Sequence, residues 1–163
     1  MRELSANTWT NWSGFQKAQP QHIFHPTDIQ ALQDIVRDQP KIRVVGAGHS
    51  FSPLVCTDAT LISLDHMAGV VSSDSTRCQS TIYSGTRLCD LDESLQPINQ
   101  ALINQGDIDQ QSLAGAISTG THGTGADLHC MSAYVEAFEL LTASGEILKC
   151  SRTEHPEIFA AGR

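Results

Sequence analysis

The alternation of apolar and polar residues in the first part of the chain predicts a strand, a helix and a second strand. β-rich runs occupy residues 21–25 and 41–45. Between them Thr27 is expected to cap a helix, and apolar side chains then recur at helical spacing at Ile29, Leu32, Ile35 and Val36. Two strands joined by a helix are typical of a parallel β-α-β unit, whose ligands bind at the carboxyl ends of the strands. A third strand is predicted at 59–64.

The rest of the chain has the pattern of antiparallel strands and helices. Paired strands are predicted at 69–73 with 79–83, and at 134–142 with 147–150. A helix is predicted from 86 or 87 to about 104–106, with Pro97 kinking or dividing it, and a short helix from 113 to about 118 with Ser112 as its cap. Pro156 is expected to open a last helix.

These elements predict an α+β fold of two lobes. The first, at about 19–66, is a small parallel lobe, and the second, at about 67–163, combines an antiparallel sheet with helices. Residues 1–18 form a separate N-terminal segment.

Composition narrows the class of protein. The 163 residues are 40% hydrophobic and 17% charged, which is typical of a globular domain. A net charge of −8, with ten Lys and Arg and no basic cluster, argues against nucleic-acid binding. Five cysteines without a C-x-x-C pair indicate neither a disulfide framework nor a zinc site, and His49, His66, His122 and His129 match no compact metal site. Residues 1–15 lack the layout of a secretory signal and no apolar run approaches about 20 residues, so a soluble, cytoplasmic protein is expected.

Two glycine-rich segments carry the candidate chemistry. The first, Gly-Ala-Gly-His-Ser-Phe at 46–51, follows the predicted strand 41–45. Glycines at a strand exit let backbone N–H groups converge on an anion, and a pyrophosphate would suit this loop. The second, at 113–125, offers more backbone donors and hydroxyls, and the free N–H groups at the start of its short helix would favour an anion nearby. Together the segments predict a cofactor held from two sides.

Other catalytic arrangements have little support. Ser50 follows His49, but no G-x-S-x-G motif or organised triad accompanies them. Asp107 and Asp109 fit a loop cap better than an acid–base pair.

The segment 46–53, with 113–125 and Leu-Thr-Ala-Ser-Gly-Glu at 141–146, resembles the PCMH-type FAD-binding domain of the vanillyl-alcohol oxidase superfamily. The likeness is greatest to sugar-1,4-lactone oxidases, which act on gulonolactone or arabinonolactone, and to alditol oxidase. The resemblance implies FAD between two α+β subdomains. It implies cofactor contacts by Gly46, Ala47, Gly48, His49, Ser50, Gly115, Ser118, Thr119, Thr121, His122, Gly123 and Gly125.

Two histidines have alternative roles under this resemblance. It implies that His49 attaches covalently to the 8α carbon of the flavin, and the alternative is a histidine that hydrogen-bonds a phosphate or a loop carbonyl. His122 either orients the second loop by hydrogen bonds or contacts the flavin.

The implied function is FAD-dependent oxidation of a CH–OH group of a sugar lactone or polyol, with hydride transfer to the flavin and oxygen or another acceptor. In such relatives the substrate domain lies C-terminal to this region. We therefore expect an N-terminal part of an oxidase, inactive alone and with no assignable catalytic residue. A non-catalytic flavin-binding module and a reductase or dehydrogenase with noncovalent FAD are the alternatives, and membrane association of the full-length enzyme is left open.

Overall fold

The computed structural model describes residues 7–163. Its first element is an antiparallel hairpin of β1, Trp9–Thr10, and β2, Lys17–Ala18. This hairpin lies in the predicted N-terminal segment, of which residues 1–6 are outside the described part of the chain.

A parallel three-stranded sheet follows, as the apolar pattern predicts. It contains β3, His22–Phe24, then helix α1, Ile29–Asp38, then β4, Ile42–Val45, and β5, Thr60–Ser63. The order is β3-β5-β4, so the third strand lies between the first two. All four residues of β5 are buried, which suits the central position.

Helix α1 packs one apolar face on this sheet. Leu32 contacts Ile62 and Met67 in a core cluster that Ile35 and Val36 extend. The predicted cap, Thr27, is wrong by one residue. Asp28 has the extended backbone of an N-cap, and its Oδ1 accepts a hydrogen bond of 2.9 Å from the N–H of Ala31.

The second half begins with the predicted hairpin of β6, Val70–Asp74, and β7, Gln79–Ile82. Helix α2, Leu88–Leu95, is shorter than predicted. A 3-10 turn at Gln96–Ile98 follows it, and Asn99, at φ 53°, ends it. Pro97 has no N–H to continue the helix, so the apolar spacing up to Leu102 continues in irregular backbone that still packs on the core.

Helix α3, Leu113–Ser118, follows the predicted Ser112 position. The chain then forms the predicted hairpin of β8, Ala137–Leu141, and β9, Ile147–Ser151, and ends in helix α4, Pro156–Gly162. Within residues 7–163 the antiparallel strands thus form separate hairpins beside the parallel sheet. The mixed α+β class is confirmed.

The second half has its own core. Its buried side chains come from α2, α3 and the segment after the second glycine-rich loop, namely Leu88, Leu91, Leu95, Ala116 and Met131. The two halves are also joined by polar contacts. Gln33 and Arg37 of α1 donate to the carbonyl oxygen of Gly145, in the turn between β8 and β9.

Candidate functional site

The first glycine-rich loop leaves the carboxyl end of β4. Val45 is buried and Gly46 is exposed, so the chain reaches the surface at Gly46. Gly48 has φ +69°, a conformation that favours glycine, and a Cβ there would lie 3.2 Å from Cζ2 of Trp9. The loop therefore passes close to the N-terminal hairpin.

Four successive carbonyl groups of this loop accept hydrogen bonds from that hairpin. The backbone N–H of Trp12 donates to Gly48 at 3.2 Å, and its indole Nε1 donates to His49 at 3.2 Å. Asn11 Nδ2 donates to Ser50 at 3.1 Å, and Gln16 Nε2 to Phe51 at 2.8 Å. The hairpin thus fixes the orientation of the peptide groups from 48 to 51.

This orientation has a direct consequence for the backbone donors. In a trans peptide the C=O and the following N–H point in opposite directions. The N–H groups of His49, Ser50 and Phe51 therefore point away from the hairpin. Within residues 7–163 they have no hydrogen-bond partner, whereas the next N–H, of Ser52, donates to Ser50 Oγ at 3.1 Å. Three neighbouring free donors in a glycine-containing loop suit a phosphate oxygen.

The start of the second glycine-rich segment is more constrained than its sequence predicts. The N–H groups of Leu113 and Ala114 donate to the carbonyl oxygens of Thr86 and Ser84, at 2.8 and 3.1 Å. The prediction that free N–H groups at this helix start would attract an anion is therefore wrong for these two donors. They pair instead with the segment leading into α2.

The two glycine-rich segments meet at Ser112. Its hydroxyl makes no capping bond to α3, and the residue is only 3% exposed. A Cβ at Gly46 would overlap Ser112 Oγ, and a Cβ at Gly115 would lie 3.0 Å from it. Because Gly46 and Gly115 have no Cβ, the first loop and α3 can approach this hydroxyl from two sides.

The remainder of the second segment is held by its own hydrogen bonds. Thr119 Oγ1 donates to the carbonyl of Gly115 at 2.8 Å, and the backbone of Thr121 bonds to Ala116 and Met131. His122 Nδ1 lies 2.9 Å from the carbonyl of Gly123, which can only accept, so Nδ1 carries the proton. Ser118 and Gly125 are exposed.

Gly123 lets this segment pack tightly on the chain before it. A Cβ at Gly123 would lie 2.6 Å from the carbonyl oxygen of Gln105 and would overlap Asn104 Oδ1. A Cβ at Gly106 would likewise lie 2.9 Å from Cγ2 of Thr121. Segments 104–106 and 121–123 are therefore in close contact.

His49 is half-buried and stacks on Trp12, with ring centroids 5.4 Å apart and an interplanar angle of 16°.

Beyond the second segment, a hydrogen bond with Ser132 lowers the pKa of the Cys130 thiol.

Several residues that shape the site are missed by sequence reasoning. Arg87 donates from Nη2 to Asp65 Oδ1 at 2.9 Å and from Nη1 to the carbonyl of Gln110 at 3.1 Å, and its backbone pairs with Ser112. It links the end of the parallel sheet to the second loop. Only one local sequence feature, the turn composition Asn-Trp-Ser-Gly, indicates structure near Asn11, Trp12 and Gln16. It does not reveal the partners of these residues, which lie 35 to 39 residues away.

The described residues also form an open cleft of about 450 Å³ elsewhere, lined by β6, β7, residues 100–104 and the segment before β8. None of the predicted cofactor residues lines it. Residues 7–163 contain no group of three or more side chains suited to a metal ion, and none of their helices has the length and apolar character for a membrane span.

Comparisons with known proteins identify the family of this chain. The family model described as an FAD binding domain matches residues 20–151. The chain is 37% identical over 147 residues to L-gulono-1,4-lactone dehydrogenase of Mycobacterium tuberculosis, covering 88% of this chain and 34% of that protein. It is 35% identical to L-gulonolactone oxidase of Scyliorhinus torazame, covering 94% and 36%. The chain thus spans about a third of the length of these relatives.

Solved structures show the same fold at lower identity. 6-Hydroxy-D-nicotine oxidase from Arthrobacter nicotinovorans matches with a TM-score of 0.80 and 20% identity, covering 98% of this chain and 38% of that one. A chitooligosaccharide oxidase matches with a TM-score of 0.77 and 21% identity, covering 90% and 33%.

Proposed function

Because the chain belongs to the FAD-binding domain family, we propose that it is the cofactor-holding part of a flavin-dependent oxidoreductase that oxidises a CH–OH group of a sugar lactone. Gulono- and arabinono-1,4-lactones are the proposed substrates, since relatives at 37% and 39% identity are named for them. A polyol is the remaining option, which the resemblance to alditol oxidase implies.

The cofactor is FAD. The chemistry that it supplies when bound is acceptance of a hydride from the CH–OH carbon and transfer of the electrons to oxygen or another acceptor. The part of this chain is placement and electrostatics. No side chain described above is assigned as the base on the substrate hydroxyl.

The observation that supports this proposal best is the row of N–H groups at His49, Ser50 and Phe51. The carbonyl groups of the same three peptides are hydrogen-bonded to the N-terminal hairpin, so the N–H groups are oriented before any ligand binds. We propose that they bind the pyrophosphate of FAD, with Gly46, Ala47 and Gly48 permitting its close approach. No Lys or Arg lies in either glycine-rich segment, so neutral donors would carry the phosphate recognition.

The second segment would contact the same cofactor from the other side. Ser112 brings its start to Gly46, and Gly115, Ser118, Thr119, Thr121, His122, Gly123 and Gly125 are the proposed contacts there. The His122–Gly123 hydrogen bond supports a role for His122 in orienting the loop.

We further propose that His49 bonds covalently to the flavin. An imidazole nitrogen would form a bond to the 8α carbon as the carbon and the imidazole each lose a proton, and the two electrons of the broken C–H bond would pass through the flavin to the acceptor. The ring nitrogens of His49 make no described hydrogen bond, so neither is occupied by a protein partner within residues 7–163.

A comparison of flavins tests phosphate recognition. The purified chain is titrated with FAD and with riboflavin, which lacks the pyrophosphate and adenosine, and binding is followed by flavin fluorescence and visible absorption. We expect FAD to bind at least about 100-fold more tightly, because two or three charge-assisted hydrogen bonds are lost with riboflavin. Equal affinities would contradict the proposal.

Acid precipitation tests the covalent bond separately. We expect yellow colour to remain in the precipitate of the unmodified protein and to be washed out of the His49→Ala variant. If the colour washes out of both proteins, the FAD is not covalently bound and the proposed bond to His49 is wrong.

A further inference from the structure

Trp12 makes three contacts with the loop that carries His49. Its indole ring stacks on the imidazole at 5.4 Å, its Nε1 donates to the carbonyl of His49 at 3.2 Å, and its backbone N–H donates to Gly48 at 3.2 Å. The indole therefore fixes both the ring and the peptide group of the histidine.

Trp12 is also held by Phe51, at the end of the same loop, and by the turn in which it lies. Its ring meets Phe51 edge-on, with centroids 5.9 Å apart. The neighbouring Asn11 is 3% exposed, and its Oδ1 accepts hydrogen bonds from the N–H of Gln16 and the hydroxyl of Ser13. Trp12 is 57% exposed, so burial in the core does not explain the position of its indole. Its ring contacts are instead with the loop at 46–51.

From this geometry we infer that Trp12 is a positioning residue for His49. An imidazole has two side-chain torsions, and a ring stacked at 16° to the indole loses this contact on any turn about the second torsion other than a half-turn. Both nitrogens lie in the ring plane, so stacking on one face of the imidazole occupies neither of them. Bonding of one nitrogen to the flavin rests on the proposed function, whereas the positioning itself does not.

The first test needs no cofactor. In NMR spectra of chain with isotope-labelled histidine, the carbon-bound ring protons of His49, identified by their loss in His49→Gln, should be shifted upfield by the indole ring current. Trp12→Ala should return them to the values of a solvent-exposed histidine, and Trp12→Phe should retain part of the shift. Phe15→Ala is the matched control, because Phe15 is an aromatic residue of the same turn, is 75% exposed and has no ring contact with His49. Unchanged His49 signals in a folded Trp12→Ala variant would overturn the inference.

The second test measures attachment. With FAD supplied, we expect Trp12→Ala to form acid-stable flavin about 2- to 10-fold more slowly than the unmodified chain, as the usual strength of an aromatic stack implies. Phe15→Ala should match the unmodified rate. Equal rates in Trp12→Ala would contradict the role in attachment. A wild-type protein that shows the ring-current shift but takes up no FAD would refute the proposed function and leave the positioning role intact.

Discussion

At the scale of single residues, two small residues determine how closely the two glycine-rich segments approach. Gly46 lies against the hydroxyl of Ser112, which is buried where the second segment begins. A methyl group at Gly46 would occupy the space that this hydroxyl fills. Glycine is therefore needed at position 46 for contact between segments, independently of any special backbone conformation.

We expect Gly46→Ala to lower the free energy of unfolding by about 1–3 kcal/mol, as overpacking of a well-packed contact does, and to weaken FAD binding. The added Cβ would also lie 3.2 Å from Cβ of Ser112, so Ser112→Ala would relieve the overlap only in part. The double variant Gly46→Ala/Ser112→Gly should recover most of the loss beyond the cost of Ser112→Gly alone. Urea denaturation and FAD titration of the four proteins give this cycle. Additive effects would show that the contact with Ser112 is not the cause.

At the scale of elements, the start of α1 shows how a cap is chosen. Thr27 and Asp28 are both residue types that cap helices well, and the sequence pattern alone does not separate them. Asp28 takes the role because its backbone is extended, at φ −151° and ψ 170°, and its carboxylate reaches the N–H of Ala31.

Asp28→Ala should therefore destabilise the fold by about 1 kcal/mol, the usual cost of losing a cap. Thr27→Ala is the matched control and should change the free energy of unfolding by less than about 0.5 kcal/mol, as exposed substitutions usually do. Thermal and urea denaturation measure both effects. A larger loss from Thr27→Ala than from Asp28→Ala would contradict the assigned cap.

At the scale of the whole molecule, the parallel sheet and the second half are joined beside the site. Arg87, whose side chain is 31% exposed, pairs with Asp65 at the end of the sheet and with the carbonyl of Gln110. Its backbone also pairs with Ser112. One residue thus connects the end of the sheet, the segment before α3 and the backbone of Ser112, where the glycine-rich segments meet.

A double-mutant cycle of Arg87→Met and Asp65→Asn should give a coupling of about 0.5–1 kcal/mol, since the pair is partly exposed. Arg87→Met should weaken FAD binding more than Asp65→Asn does, because it also removes the bond to Gln110. Lys41→Met is the control. It breaks an ion pair with Asp58 before the starts of β4 and β5, at the other end of the sheet, and should leave FAD affinity unchanged. Equal losses of FAD affinity in Arg87→Met and Lys41→Met would contradict the joining role.

Much of the fold follows from local patterns. Helix α1 and strands β4 and β5 have strong periodicity or continuous apolar character, and each lies within two residues of its predicted bounds. The extent of α2 did not follow, because the apolar residues beyond Pro97 are core residues in irregular backbone rather than a helical face. The spacing of apolar residues indicates which side chains are buried, and buried side chains need not lie on a helix.

For the site, the sequence by itself determined the two glycine-rich segments and the histidine in the first of them, because conformational freedom and donor chemistry belong to the residues themselves. Only the tertiary structure decided that the first segment is held by Asn11, Trp12 and Gln16, and that Ser112 joins it to the second. These contacts link residues far apart along the chain, and the hydrogen bonds and close packing that create them form only when the whole core brings those residues together.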